Sequence, residues 1–339
     1  MKTLMLFSIL LFLNADAMNL EETPESFVLE LKQLHIPGYP NAFNPSIIRW
    51  QGRLLLSFRN ISNHKDPYNS SQIGLIWLDE NFNAIAEPQI LIICENDSKK
   101  CKRAEDARLI EVDDHLYMVY SNNEEDVLAK GNFRVFVAEL KEENSLFYLS
   151  SKDRLSQYEG ETQNLREKNW TPFNYQKNLF LSYSLNPHLV FKPIIGNEIC
   201  ETICSTYKDL PNWQWGELRG GTQSLLIDGR YLTLFHTAIR MSSIESGGKD
   251  MLHYFMGAAT YNSEPPFEMT AISKAPIIGK GFFSGKIYPP FFGSWRGIFP
   301  GGFVFDNNYI YVVYGRQNYE LWMVKLDKKE LLTSLSATQ

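Results

Sequence analysis

Five times along the chain an apolar run, a polar two-residue turn and a second aromatic or β-branched run follow one another. The copies span Ser46–Arg59, Ala107–Tyr120, Pro172–Ser184, Thr222–Ala238 and Gly302–Gly315. Their central dipeptides Gln51-Gly52, Asp113-Asp114, Asp228-Gly229 and Asn307-Asn308 are hairpin-turn chemistry, and Gln176-Lys177 is a weaker version of it. Each hairpin is followed by a further apolar strand: Ile73–Asp79, Phe133–Leu140, Glu201–Tyr207, Tyr254–Tyr261 and Glu320–Asp327. A single sheet of this kind cannot bury both of its faces. Recurring sheets therefore predict an all-β fold, a five-bladed β-propeller in which each blade is covered by its neighbours. Its blades would begin near residues 44, 105, 168, 219 and 300. A β-sandwich or double barrel is the rival arrangement. Helical periodicity is scarce, although Phe27, Val28, Leu31 and Leu34 predict one short helix within Pro24–Leu34. No Gly-, Ser- or Pro-rich linker divides the chain, so residues 18–339 read as one domain.

The first 17 residues, MKTLMLFSILLFLNADA, place Lys2 before an apolar run and end on Ala15-x-Ala17. That is the layout of a cleaved secretory signal, with Met18 expected as the first mature residue. An uncleaved anchor and a buried first strand are the alternatives. The protein is thus expected to be secreted, periplasmic or in the lumen of the secretory pathway. The apolar run is too short to span a bilayer and no later run is long enough, so no stable membrane insertion is expected after cleavage. The four cysteines fall in two local pairs, Cys94/Cys101 and Cys200/Cys204. Local disulfides fit an oxidising compartment; the zinc alternative lacks the usual spacing and a nearby histidine. A net charge of -6 without a basic patch argues against a nucleic-acid partner. Oligomeric state is left open.

Polar residues gather just before each hairpin: Asn44-Pro45, Glu105-Asp106, Lys168-Asn169-Trp170, Arg219-Gly220-Gly221, and Arg296 with Phe299-Pro300-Gly301-Gly302. If the five first strands converge, these segments deliver carboxylates, cations and aromatics to one end of a shared axis. Singly, each could instead satisfy a turn backbone. Cleavage of a glycosidic bond needs an acid to protonate the leaving oxygen. Glu105 and Asp106 are adjacent and point opposite ways on an extended segment, which makes Asp106 the candidate for the centre and Glu105 an anchor for the loop or Arg108. Arg59, Lys168, Arg219, His236 and Arg296 suit a phosphate or phosphate-bearing co-substrate. His236 and His188 fit a buried structural role equally well. Trp170, Trp213, Trp215 and Trp295 offer faces for sugar stacking.

The segments NPSI, EDARL, EKNWTPF, YSLNPHLV, WQWGELRGGT, FHTA, FPGG and YGRQNYELWMVKLD, in this order, resemble those of five-bladed β-mannoside phosphorylases and their relatives. That superfamily includes hydrolases and nucleotide-sugar mannosyltransferases, and the resemblance runs from about Asn44 to Leu335. It implies an enzyme acting on β-mannosides or similar glycans by inverting phosphorolysis. Asp106 would be the general acid, its proton relayed through a substrate hydroxyl. A mannosyltransferase, a glycoside hydrolase and an inactive glycan-binding module are the alternatives. By the same likeness Asn44 and Arg59 match sugar-subsite positions, and Arg219 and His236 match phosphate-holding segments, with Lys168 a weaker match. Arg108, Trp170, His188, Asn318 and Glu320 complete the substrate-binding candidates. The chain departs from the family pattern at Ala107 and Gln223, each in place of a proline, and at Asn318 in place of an aspartate, and whether Glu320 takes over that role is left open. The expected partner is an oligosaccharide. No cofactor or metal is expected, only inorganic phosphate or a nucleotide sugar as co-substrate.

Overall fold

The computed structural model describes residues 17–67, 70–93, 103–122, 133–161, 166–210, 213–288 and 295–339. Residues 1–16 of the signal-like segment, and both Cys94 and Cys101, lie outside them. The strands are β1 (Val28–Leu34), β2 (Phe43–Trp50), β3 (Arg53–Ile61), β4 (Ser71–Leu78), β5 (Gln89–Ile90), β6 (Glu105–Val112), β7 (His115–Asn122), β8 (Arg134–Glu143), β9 (Leu146–Arg154), β10 (Thr171–Tyr175), β11 (Asn178–Leu185), β12 (His188–Ile194), β13 (Ile199–Thr206), β14 (Leu225–Ile227), β15 (Arg230–Met241), β16 (Met251–Asn262), β17 (Met269–Ile272), β18 (Trp295–Phe305), β19 (Tyr309–Arg316), β20 (Glu320–Asp327) and β21 (Ser336–Ala337). One helix, α1 (Lys328–Ser334), is capped by the Asp327 carboxylate, which accepts from the Glu330 amide. No helix among the described residues is long and apolar enough to cross a membrane.

The predicted hairpins are present, but they do not make five blades. Strands β2–β5, β6–β9 and β10–β13 form three four-stranded sheets, and the rest form one nine-stranded sheet. This corrects the five-bladed propeller: the described residues form four separate sheets, and none of these closes or curls as a propeller requires. The fourth and fifth hairpins share a sheet because β16 and β18 pair in parallel, Leu252 to Tyr254 against Trp295 to Gly297. Gly297 permits that junction. Its φ is 112°, and a Cβ there would lie 2.1 Å from the Tyr254 carbonyl oxygen. Local hairpin chemistry reports which strands pair through a turn and says nothing about a join made far from it.

Burial grades across each sheet. First strands such as β2 are buried almost throughout, whereas the outer β9 and β13 alternate or lie open. The cores lie between sheets. Leu55 and Leu75 of the first meet Leu109, Met118 and Phe136 of the second. Ile110 and Val119 meet Leu181 and Phe191 of the third. Phe173 and Phe180 meet Phe235 and Tyr261 of the fourth, and Ile47 and Phe58 meet Val313 and Met323. Each fully buried side chain of this size contributes about 1.5–3 kcal/mol, which is what presses the first strands together.

Two smaller expectations also need correcting. Val28–Leu34 is a strand and not a helix; it pairs antiparallel with β20, register Leu31 to Val324 and Leu34 to Leu321. An open sheet edge outweighs the weak periodicity of so short a run. Cys200 and Cys204 are free thiols. They are four residues apart on one strand, about 13 Å, where a disulfide needs Cα atoms within about 7 Å. A bulge at Ile203 also turns them apart, so that Cys200 packs with the second and third sheets and Cys204 with the third and fourth.

Candidate active site

The first strands share a direction. Their N-terminal ends line a cleft of about 1240 Å³, and their C-terminal ends line a depression of about 720 Å³ on the far side. Close backbone contact between neighbours holds them in place. A Cβ on Gly220 would lie 2.1 Å from the Asn169 carbonyl oxygen, and one on Gly301 would lie 2.0 Å from that of Pro45. Gln223, in the place of a proline, donates from Nε2 to the carbonyls of Ile47 (3.0 Å) and Phe303 (2.9 Å), so its amide ties β2 to β18.

Where β2 and β6 begin, the register slips between Phe43 and Ser46 and between Glu105 and Arg108. Asn44 (φ 44°) and Asp106 (φ 54°) occupy these bulges in the left-handed region, and Asn169 (φ 66°) does the same just ahead of β10. Asn and Asp are the non-glycine residues that best tolerate that conformation. Three strained positions thus face one cleft, as is common at functional sites.

The bulges aim the two adjacent carboxylates differently. Glu105 is buried, and its Oε1 accepts from Arg59 Nη2 (2.7 Å) and Arg103 Nε (2.8 Å) while Oε2 accepts from Lys168 Nζ (2.5 Å). Burial alone would push this carboxyl up, but Arg59, Lys168 and Arg103 outweigh it and hold it well below the usual carboxylate range. Lys168 and Arg103 also lie over the Phe133 ring, at 3.6 and 4.4 Å. Asp106 faces the cleft. Its Oδ1 accepts from Asn44 Nδ2 (2.9 Å) and Arg59 Nη1 (3.2 Å), while Oδ2 takes no hydrogen bond among the described residues. Beneath it Arg108 donates to the carbonyls of Asp106 (3.0 Å) and Gly221 (2.6 Å) and to Asn169 Oδ1 (3.3 Å). Burial lowers the Arg108 guanidinium to about 10, so it stays charged at neutral pH.

Of the sequence candidates, Asn44, Arg59, Asp106, Lys168, Trp170, Arg219, His236 and Asn318 line the cleft. Trp170 does so as a packed wall: it is 1% exposed, donates from Nε1 to Glu167 (2.9 Å) and sits edge-on to Tyr158 and Tyr183. Arg219 exchanges backbone hydrogen bonds with His236, and its half-exposed guanidinium pairs with Glu217 at 3.0 Å. His236 is buried. Burial first, then the Arg108 and Arg219 charges, lower it to about 3, so at neutral pH it brings no charge to an anion.

Two candidates lie elsewhere. His188 donates from Nδ1 to the Phe267 carbonyl (2.7 Å), so its Nε2 accepts from the Ser182 hydroxyl (2.9 Å). Glu320 is gripped by Arg316 (2.6 Å), by the Trp322 indole (2.8 Å) and by Tyr288. Arg296 is spent on the carbonyls of Gly285 and Lys286. Trp213 and Trp215 pack on Phe235 and Phe255, whereas Trp295, the first residue of β18, lies on the cleft. Sequence reasoning passed over Tyr254, whose ring meets Trp295 at 4.6 Å, as well as Arg103, Arg240, Lys249 and Asp250. Tyr254 lies inside β16, the strand that follows the fourth hairpin, where no first-strand signal marks it.

The buried histidines give the fold an acid limit. Burial lowers His188 to about 4 against a weaker opposing bond to Phe267, and His236 lies at about 3. The unfolded chain protonates both near pH 6.5. Their contribution to stability is therefore complete above pH 6.5 and is lost as pH falls toward 4. The melting temperature should drop steadily over that window, and His188→Gln should flatten the slope. An unchanged slope in that variant would mean that His188 is hydrated.

The profile of a family described as beta-1,4-mannooligosaccharide phosphorylase matches residues 15–336. No curated protein sequence is significantly similar to the chain. Among solved structures, a glycosyl hydrolase from Bacteroides ovatus shares 15% identity, with 93% of this chain and 95% of that one covered at a TM-score of 0.59. A mannose phosphorylase from Leishmania mexicana, solved with a phosphate ion, shares 11% identity over 91% of each chain at 0.59. A GDP-Man-dependent mannosyltransferase from the same organism shares 11% over 89% and 90% at 0.55. At these identities the likeness shows a common fold, and that fold hosts three reactions.

Proposed function

We propose, from the premise that the chain belongs to the β-1,4-mannooligosaccharide phosphorylase family, glycoside hydrolase family 130, that it cleaves β-mannosides or similar glycans by inverting phosphorolysis. Membership makes it a carbohydrate-active enzyme: a phosphorylase, glycosidase or glycosyltransferase. Phosphorolysis is supported by one observation above the rest. The candidate acid stands beside a cluster of fixed positive charge, with Arg59, Arg103 and Lys168 sharing Glu105 and with Arg108 charged below. Such a field favours an anionic nucleophile and stabilises charge that gathers on it in the transition state.

In the proposed reaction Asp106 Oδ2 gives its proton, directly or through a sugar hydroxyl, to the glycosidic oxygen as the bond from that oxygen to the anomeric carbon breaks. A phosphate oxygen forms the new bond from the opposite face, which inverts the configuration and yields a sugar 1-phosphate. Arg59 and Asn44 hold Asp106 by its other oxygen and so fix where the proton is delivered. Tyr254 and Trp295 offer ring faces to the sugar, and Arg219 adds a cation at the rim. A hydrolase would need a second carboxylate to activate water. Of those on the cleft, Glu217 and Asp250 are tied to Arg219 and Arg240, and Glu167 is held by the Trp170 indole.

The test is a screen of the purified protein on manno-oligosaccharides with and without phosphate. Sugar 1-phosphate formed only when phosphate is present is the expected result. Free mannose without phosphate would make the enzyme a hydrolase, and turnover only with a nucleotide sugar would make it a transferase. Glycan binding without any product would leave a binding module.

A further inference from the structure

Residues 273–288, the described part of the connection from β17 to β18, hold no regular strand, yet Ile287 from this stretch forms part of the cleft wall. Side chains therefore set its position. Arg316 donates from Nη1 to the carbonyls of Gly281 (2.8 Å) and Ser284 (3.3 Å), and Phe282 and Phe283 are fully buried. The amides of the same turn go to one carboxylate. Glu21 Oε2 accepts from Gly281 N (2.9 Å), and its Oε1 accepts from Phe283 N (2.6 Å) and Ser284 N (2.9 Å).

The segment carrying Glu21 is itself fastened to a second loop on the cleft. The amides of Leu20 and Glu21 donate to Glu245 Oε1 at 3.0 and 3.2 Å, and Ile244 N donates to the Met18 carbonyl at 3.0 Å. Glu245 belongs to the 242–250 loop, whose far end places Lys249 and Asp250 on the cleft. Ser243, Ser246 and His253 brace this loop from within. Met18–Glu21 thus bridges two loops that both reach the cleft wall and that are far apart in sequence.

We propose that Glu21 is a positioning residue for the glycan cleft: with Glu245 it clasps the 281–284 turn to the 242–250 loop and so fixes the spacing of the rim that holds the outer sugars. The identity of the ligand rests on the function proposed above, whereas the clasp rests on the hydrogen bonds alone. Glu21 does not touch the cleft, so its removal acts on ligand affinity before it acts on chemistry. Three charge-assisted amide bonds on one carboxylate are more than a neutral side chain can replace.

Hydrogen–deuterium exchange on the full chain tests the clasp without any turnover. In Glu21→Ala, exchange should rise roughly tenfold or more at 281–284 and also at 242–250, with the four-stranded sheets unchanged. Glu245→Ala should raise exchange in the same two places from the other side, and it serves as the test if Glu21→Ala does not fold. In a wild type that turns over a manno-oligosaccharide, Glu21→Ala should raise the glycan KM while kcat changes little, and Glu21→Asp should restore part of the affinity. Faster exchange confined to 281–284, or an unchanged glycan KM, would overturn the proposal. A wild type inert toward every glycan would instead defeat the functional reading, and the spread of exchange between the loops would still decide the clasp.

Discussion

Asp106→Asn should abolish turnover, by roughly 10²-fold or more, and leave the fold in place. Asparagine suits the site structurally. It tolerates the left-handed backbone that the bulge imposes at φ 54°, and its Oδ1 can still accept from Asn44 and Arg59. What it lacks is a proton to give from the second position, the one that faces the cleft. Circular dichroism and the melting temperature should therefore stay near the wild type while the rate collapses, and glycan binding on the aromatic wall should persist. Comparable activity in the variant would move the acid elsewhere. It would not move it to Glu105: burial opposes charge there, but Arg59, Lys168 and Arg103 overcome it and keep that carboxyl ionised. The neighbour that looks interchangeable in sequence is thus excluded by its surroundings.

How much of this was legible in the sequence depended on whether a local signal existed. The hairpins were legible because turn dipeptides and strand alternation are local. The cleft residues at the start of β2 and β6 and ahead of β10 were legible because a first strand that is buried along its length leaves only its ends for polar groups. The number of sheets was not legible, since it turned on Gly297 and on a parallel contact between strands far apart in sequence. Val28–Leu34 looked helical because its partner, β20, lies at the other end of the chain. Trp170 was read as a ligand contact from its place ahead of a hairpin and Glu320 from the family pattern, while His188 was left equally open to a buried structural role. Each is a polar aromatic or charged group whose partners, Glu167, Phe267 and Arg316, become visible only after folding. Cys200 and Cys204 were read as a pair from their spacing, which an extended strand makes too long to bridge.

The largest expected loss of stability belongs to Glu105→Gln, a change of a single charge that keeps the shape of the side chain. In the native protein one buried carboxylate serves three cations, two of them through Oε1 and one through Oε2. An amide can accept at its oxygen, but its NH₂ group would point a donor at a cation that is itself only a donor. Arg59 cannot retreat into solvent. It is buried, with Nε fixed to the Ser71 hydroxyl at 2.7 Å, and Ser71 in turn donates to the Ala104 carbonyl. Breaking a buried ion pair by removing one partner typically costs about 3–5 kcal/mol. Lys168 and Arg103 retain some contact with water, which places the expected loss toward about 3 kcal/mol. The acid limb should change as well. The native carboxyl is held below its usual range, so its contribution is complete above about pH 4.5 and is lost as pH falls below that. Glu105→Gln should therefore be much less stable than wild type at pH 7, with the gap narrowing in acid. Urea titrations at pH 7 and at pH 4 read both effects. A gap that stays constant with pH would mean that Glu105 contributes through packing and not through charge, and equal midpoints at pH 7 would mean that the three cations find other partners. The same substitution should also disturb the acid, because Arg59 touches both carboxylates. With Glu105 neutral, Asp106 carries a larger share of the balance to Arg59. The pair should close more tightly and shift Asp106 from the position in which it meets the substrate.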